Sequence, residues 1–326
     1  MSKHLLVAAL AFAATAPVAA LADTAAADVN TQIVDAFNKH YGVHPGFRAN
    51  HAKGVVAEGS FTASKEAAAL TTSPIFAGGR IPVTVRFSDA GGLPDVHDGT
   101  GDASPHGLAI KFHLPGGADS DIVVNSLKFF PVATPEEFRD LQVAAAETPA
   151  PSDALKAFLQ SHPSVVKAIG TLGTPTSFAS EHYYGINAFV FTNKEGKKQA
   201  FRYLFEPVKL DYLKPEEAAK KSADFLVEDL PQRLAKGPVT FKVKAQLAAA
   251  GDPTNDATKA WPDDRTFVDM GTLTITKAAA DSLAEQKKLL FLPGRLTDGI
   301  APSDDPLIAS RNAAYGVSFG RRSANP

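Results

Sequence analysis

From Gly54 onward the chain reads as a succession of short blocks in which apolar residues recur at every second position, and this alternation is what most restricts its fold. V-V-A-E-G-S-F-T-A from Val55, I-P-V-T-V-R-F-S from Ile81, H-G-L-A-I-K-F-H-L from His106 and S-D-I-V-V-N-S-L-K-F-F from Ser120 follow one another. Glycine- and aspartate-rich stretches separate them, such as D-A-G-G-L-P-D-V-H-D-G-T-G-D from Asp89. Period-two patterning bounded by turn residues predicts half-buried strands. The pattern resumes in Y-G-I-N-A-F-V-F-T-N from Tyr184, Q-A-F-R-Y-L-F-E-P after the turn K-E-G-K-K, P-V-T-F-K-V-K-A-Q-L from Pro238 and F-V-D-M-G-T-L-T-I-T from Phe267. About eight strands joined by hairpin-like turns predict an α+β chain built on an antiparallel barrel. Helical spacing predicts appended helices over Thr31–Phe37, Pro135–Thr148, Ser152–Ile169, Pro215–Leu230 and Leu307–Tyr315. No internal repeat or linker divides the chain, so residues 23–326 are expected to form one domain.

The first residues read as an address. A short basic start, Met1-Ser2-Lys3-His4, precedes an alanine-rich apolar run to Val18, and Ala20-Leu21-Ala22 fits the small-x-small cleavage rule. Residues 1–22 are expected to be a signal peptide directing the protein to the periplasm, since the run is too short for a membrane span. Cleavage leaves 304 residues (326 minus 22) and, with Lys3 removed, moves the formal charge from −2 to −3. So slight an imbalance gives no basic footprint for nucleic acid and no charge block for a membrane surface. Cysteine is absent, which excludes disulfides, thiolate metal sites, thiol nucleophiles and thioether attachment of c-type haem.

Three short stretches carry candidate chemistry: Arg48-x-x-His51-Ala-Lys-Gly, Val85-Arg86-Phe87-Ser88 and Arg311-x-x-x-Tyr315. Each has an ordinary reading by itself: a polar strand start, a half-buried strand and a helix-surface stacking pair. His97 and His106 lie in the polar loop with Asp95, Asp98 and Asp102, a set without a complete calcium-loop pattern. They read as solvated loop histidines, and Trp261 reads as a packing residue.

Taken together, the motifs resemble the haem catalases, and within them the compact catalase-related peroxidases, from about Val43 to Arg322. R-x-x-H-A-K-G resembles the family's distal histidine signature, V-R-F-S its arginine-serine strand, and G-L-A-I-K-F its next strand. D-A-T-K-A-W-P and A-P-S-D-D-P-L-I-A-S-R-N-A-A-Y are similar to later family segments, all in the same order. The resemblance implies a catalase-type eight-stranded barrel lining a haem pocket, with heme b as cofactor. Tyr315 is then the iron ligand, and Arg311, one turn earlier, favours its anion. His51 acts as general base and then general acid towards peroxide, with Ser88 fixing its ring. Arg48, Arg86 and Arg322 pair with the haem propionates, and Phe138 lies over the haem.

The departures bear on activity. Anchoring on Phe129-Phe130 places the family's distal asparagine at Val124, with Asn125 one residue later. A one-residue shift on a strand changes faces, so Asn125 is expected to substitute only through a bulge. The sequence runs four residues past Arg322, without the long tail and arm that interlock large catalase tetramers. The expected function is therefore a haem peroxidase with weak catalase activity. It uses hydrogen peroxide, with organic hydroperoxides as a further class, to oxidise small organic donors, as a monomer or small homo-oligomer. The alternatives are a hydroperoxide-rearranging or hydroperoxide-reducing enzyme of the same fold and a non-catalytic periplasmic haem-binding protein.

Overall fold

A computed structural model describes residues 28–325. The signal-peptide expectation for residues 1–22 lies outside them. Eight strands form the barrel: β1 (Gly54–Ala63), β2 (Arg80–Ser88), β3 (Gly107–His113), β4 (Asp119–Asn125), β5 (Tyr183–Tyr184), β6 (Lys198–Pro207), β7 (Val239–Leu247) and β8 (Phe267–Ala278). Each pairs antiparallel with the next, and β8 pairs with β1 to close the ring, so no barrel edge is left open. Closure needs a tight spot at Gly59, where the β1–β8 register shifts. A methyl group there would lie 2.2 Å from the Thr274 carbonyl oxygen.

The interior is filled by the alternate residues that the pattern marks as apolar. Val85 and Phe87, Leu108 and Ile110, Phe201 and Phe205, and Phe241 and Leu273 are all buried in one core. Phe87 stacks on Phe178 at 5.5 Å, and Phe191 on Phe201 at 3.4 Å. The barrel lumen is thus filled by side chains, and the face of the barrel left for a ligand pocket is its outer wall. The polar candidates alternate with the core residues and occupy the outer wall.

Among the described residues, seven helices of seven or more residues surround the barrel: α1 (Val29–Tyr41), α2 (Pro135–Ala145), α3 (Asp153–Ser161), α4 (Pro163–Ile169), α5 (Phe225–Leu234), α6 (Ser282–Lys288) and α7 (Pro306–Ala324). The last begins on Asp305, whose carboxylate takes the Leu307 N–H, with Pro306 at the first helical position. Thr134 and Glu137 form a capping box on α2. The predicted helix over 152–169 is broken at Pro163, which has no N–H to donate. The predicted helix over 215–230 also divides: Asp98, from a distant loop, accepts the Leu226 N–H at 2.6 Å and starts α5 afresh. The helices α1 and α7 pack together, pinned by Asp35–Arg321 at 2.7 Å and Ser310–Asn30 at 2.5 Å.

Candidate active site

Gly54, Ser88, Gly107 and Asn125 are register partners across β1 to β4, and therefore share one face of the sheet. Val124, one residue earlier, points into the barrel core. The β3–β4 register runs without a shift from Gly107↔Asn125 to His113↔Asp119. The bulge expected for Asn125 is thus absent and unnecessary. Its Oδ1 accepts from Leu127 N at 3.0 Å, and its Nδ2 has no protein partner among the described residues.

His51 projects over this row from the loop before β1. It is the one non-glycine residue with positive φ among the described residues, at 57°. Left-handed backbone at a histidine carries a strain that neighbouring contacts must sustain. Asn50 supplies them: its Oδ1 accepts both the His51 and Gly91 backbone N–H groups at 2.9 Å. The imidazole Nδ1 lies 2.8 Å from the Asp89 carbonyl oxygen and 3.2 Å from Ser88 Oγ. A carbonyl can only accept, so Nδ1 carries the proton and Nε2 presents a bare lone pair. Burial and then the Arg86 guanidinium, with smaller repulsion from Arg311 and Arg48, push the ring down to about 3 against the Asp89 hydrogen bond. His51 is therefore a neutral base at physiological pH. Gly107 leaves room for the ring: a methyl group there would come within 2.7 Å of Ser88 Oγ and 3.3 Å of His51 Nδ1.

Arg48, Arg86 and Arg322 converge behind His51 on the segment that includes α6. Arg48 Nη2 and Arg322 Nη2 both donate to the Leu289 carbonyl, at 2.7 and 2.6 Å. Arg86 donates through Nε to Gln286 Oε1 and through Nη2 to the His51 carbonyl, each at 2.8 Å. Every acceptor is neutral, and the Arg322 Nε is buried without a partner among the described residues. Burial, with mutual repulsion from Arg86 and Arg322, holds Arg48 well below its usual range; burial and Arg322 push Arg86 to about 9. Three half-buried or buried cations without a carboxylate are a site for an anionic ligand.

On the facing helix α7, Arg311 Nη2 and Nε lie 3.3 and 3.4 Å from the Tyr315 hydroxyl oxygen. Arg311 Nη1 donates to Asn187 Oδ1 at 2.5 Å, and Asn187 Nδ2 donates to Asp305 Oδ2 at 2.8 Å. Asn187 explains why the predicted strand over 184–193 is interrupted between Tyr184 and Phe189: its side chain leaves the ladder to hold α7. The two faces are tied directly, Ala49 N donating to Ser318 Oγ at 3.2 Å. Phe138 on α2 is partly buried against a satellite cluster, with ring contacts to Phe37 at 6.0 Å and Phe130 at 5.2 Å. His51, Ser88, Asn125, Arg48 and Arg86 thus share one wall, while Arg311 and Tyr315 lie on the helix opposite, with Arg322 reaching back to Leu289. Asn50, Asp89, Gly107, Asn187 and Gln286 belong to the site without being singled out by the motifs. His106, expected to be solvated, is fully buried.

This constellation fits an anionic ligand that carries carboxylates and an oxygen-ligated metal. The orphaned cations suit the carboxylates, and a phenol beside a guanidinium suits the metal. The catalase family profile matches residues 31–324. A catalase-related peroxidase of Mycolicibacterium paratuberculosis is 35% identical over 89% of this chain and 94% of its own length. One from Synechococcus elongatus is 34% identical over 89% and 88%. Catalase A from Saccharomyces cerevisiae superposes with a TM-score of 0.78 at 22% identity, covering 86% of this chain and 62% of that one. A bacterial catalase does so at 0.77 and 24%, covering 95% and 63%. The chain spans about three fifths of those solved catalases and shares their fold. With the profile covering nearly all of its length, the protein belongs to the catalase family.

Proposed function

We propose that this protein is a haem-dependent peroxidase with weak catalase activity, taking hydrogen peroxide and organic hydroperoxides as oxidants and small organic molecules as donors. Catalase-family proteins bind haem; b-type haem suits a chain without cysteine for thioether attachment. Arg48, Arg86 and Arg322 would hold its carboxylates, and Tyr315 its iron. When bound, haem supplies the iron at which the peroxide O–O bond is cleaved. The protein's part is proton handling. His51 Nε2 accepts the peroxide proton while Nδ1–H stays on the Asp89 carbonyl, then returns that proton to the departing oxygen. Asn125 Nδ2 is free to donate to the peroxide, and Ser88 Oγ steadies the ring.

The observation that carries this reading is the bare Nε2 of a strained, neutral His51. A haem carrier has no use for such a group. No helix among the described residues is long and apolar enough to cross a membrane. A periplasmic location and a monomeric or small homo-oligomeric state complete the proposal. The test is to mix ferric holoprotein with hydrogen peroxide, following dye oxidation and oxygen evolution in parallel. Dye oxidation exceeding oxygen release supports it; absence of both refutes it. His51→Ala should slow the reaction about a hundredfold or more while haem stays bound.

A further inference from the structure

Behind His51 lies a buried polar spine that peroxide chemistry has not yet used. His106, wholly buried, places Nδ1 2.8 Å from Glu181 Oε2 and Nε2 3.7 Å from Asp89 Oδ1. Neither Asp89 oxygen nor His106 Nε2 has a hydrogen-bond partner among the described residues, though Asp89 is as inaccessible as His106. Such unpaired groups are costly in a core and rarely persist without a role. The spine reaches both distal side chains. Asp89 carries the carbonyl that holds His51 Nδ1–H. The His106 backbone is clamped to Ser126, next to Asn125, by His106 N→Ser126 Oγ at 3.0 Å and Ser126 N→His106 O at 2.9 Å. The Phe178 ring edge seals the imidazole at 5.8 Å.

We propose that His106, with Asp89 and Glu181, is a positioning element for the distal pair, fixing the tautomer and tilt of His51 through Asp89 and the placement of Asn125 through Ser126. This rests on the peroxide-activating reading of His51. Further charged and titratable groups surround the spine. Lys53 bonds Asp98 beside it, and Arg86 and Tyr183 interact with Asp89 from β2 and β5. Asp224 completes the Lys53 pairing at 2.7 Å. Burial, reinforced by the Asp98 carboxylate and opposed by His106, pushes Asp89 up to about 8. Burial disfavours the His106 cation, but Glu181 outweighs it and raises the imidazole. At neutral pH Asp89 therefore favours its protonated form, and the Glu181 carboxylate favours the cation of the His106 ring it touches. As Asp89 ionises, the new negative charge next to its own carbonyl strengthens that carbonyl's hold on the Nδ1–H.

The test compares His106→Gln, Asp89→Asn and His51→Ala holoproteins with the native one. Peroxide and cyanide association are followed by stopped flow from pH 6 to 10, with thermal midpoints alongside. Hydrogen cyanide must lose its proton on binding, so its association reports the distal base without turnover. His106→Gln is expected to slow both reactions about tenfold at pH 7, as loss of an outer partner typically does. Asp89→Asn is expected to erase a change in rate centred near pH 8. In the haem-free full chain, histidine ¹⁵N shifts should show His51 as the Nδ1–H form, becoming a mixture in His106→Gln. If both variants lower only the thermal midpoint, leaving the pH profiles and the tautomer native, the proposal is overturned. Should His106→Gln not fold, an unaltered Asp89→Asn profile overturns it equally. If His51→Ala reacts at the native rate, the peroxidase reading itself fails, which is a different result.

Discussion

The neutral His51 sets a pH cost on folding that can be measured apart from catalysis. In the unfolded chain this ring titrates near 6.5; in the folded one it is pushed down to about 3, chiefly by burial and Arg86. Between those values the unfolded state binds a proton that the folded state refuses, so stability falls as pH drops below about 6.5. At pH 5 the penalty is the 1.5-unit gap times 1.36, about 2 kcal/mol, and it hardly depends on how far below 4 the folded value lies. For a chain of this size, with an unfolding entropy of about 0.6 kcal/mol/K, that is roughly 3 °C in midpoint. The assay is thermal or urea unfolding of native protein and His51→Gln at pH 7 and pH 5. His106, whose raised value stabilises the fold below its unfolded value and ceases to do so as pH rises through the folded one, contributes equally to both and cancels. The native protein should lose about 2 kcal/mol more than the variant on acidification. Equal losses would show that His51 is not held as a neutral base.

Other consequences follow from single contacts. Gly107→Ala places a methyl group 2.7 Å from Ser88 Oγ, so peroxide association should drop about tenfold with haem content retained, as stopped-flow and haem extraction would show. Asn187→Ala removes the acceptor for Arg311 and the donor to Asp305, costing about 1–3 kcal/mol in unfolding experiments and shifting the Soret band of the holoprotein. Arg322→Met removes one orphaned cation. Haem affinity should fall about tenfold in titrations, in line with a charge-assisted bond of about 1.5–3 kcal/mol, whereas haem dimethyl ester should bind native protein and variant alike.

Periodicity made the barrel legible because each strand shows one face to a solid core, and Val85-Arg86-Phe87-Ser88 displays that alternation in four residues. The same rule demanded a bulge at Asn125, yet its register with Gly107 puts it on the Ser88 face without one, because pairing register is not written in β4 alone. The motifs disclosed His51 and Tyr315. They did not disclose Asn187 or Asp89, whose importance lies in contacts with residues far along the chain. His106 was misread because a polar, glycine-rich neighbourhood usually means solvent; here Glu181 and Phe178 cover it. Phe138 was assigned by resemblance alone, and its ring partners Phe37 and Phe130 lie far from it in sequence or outside any motif.

The Ala49–Ser318 bond joins residues 269 positions apart, and Gly46 N reaches Asn325 O close by. The wall bearing His51 and the helix bearing Tyr315 are therefore among the earliest and latest parts of the described chain to be synthesised. Closing so long a loop carries an entropic cost that only the packing of the two segments offsets, so this pocket depends on contacts between opposite ends of the described chain.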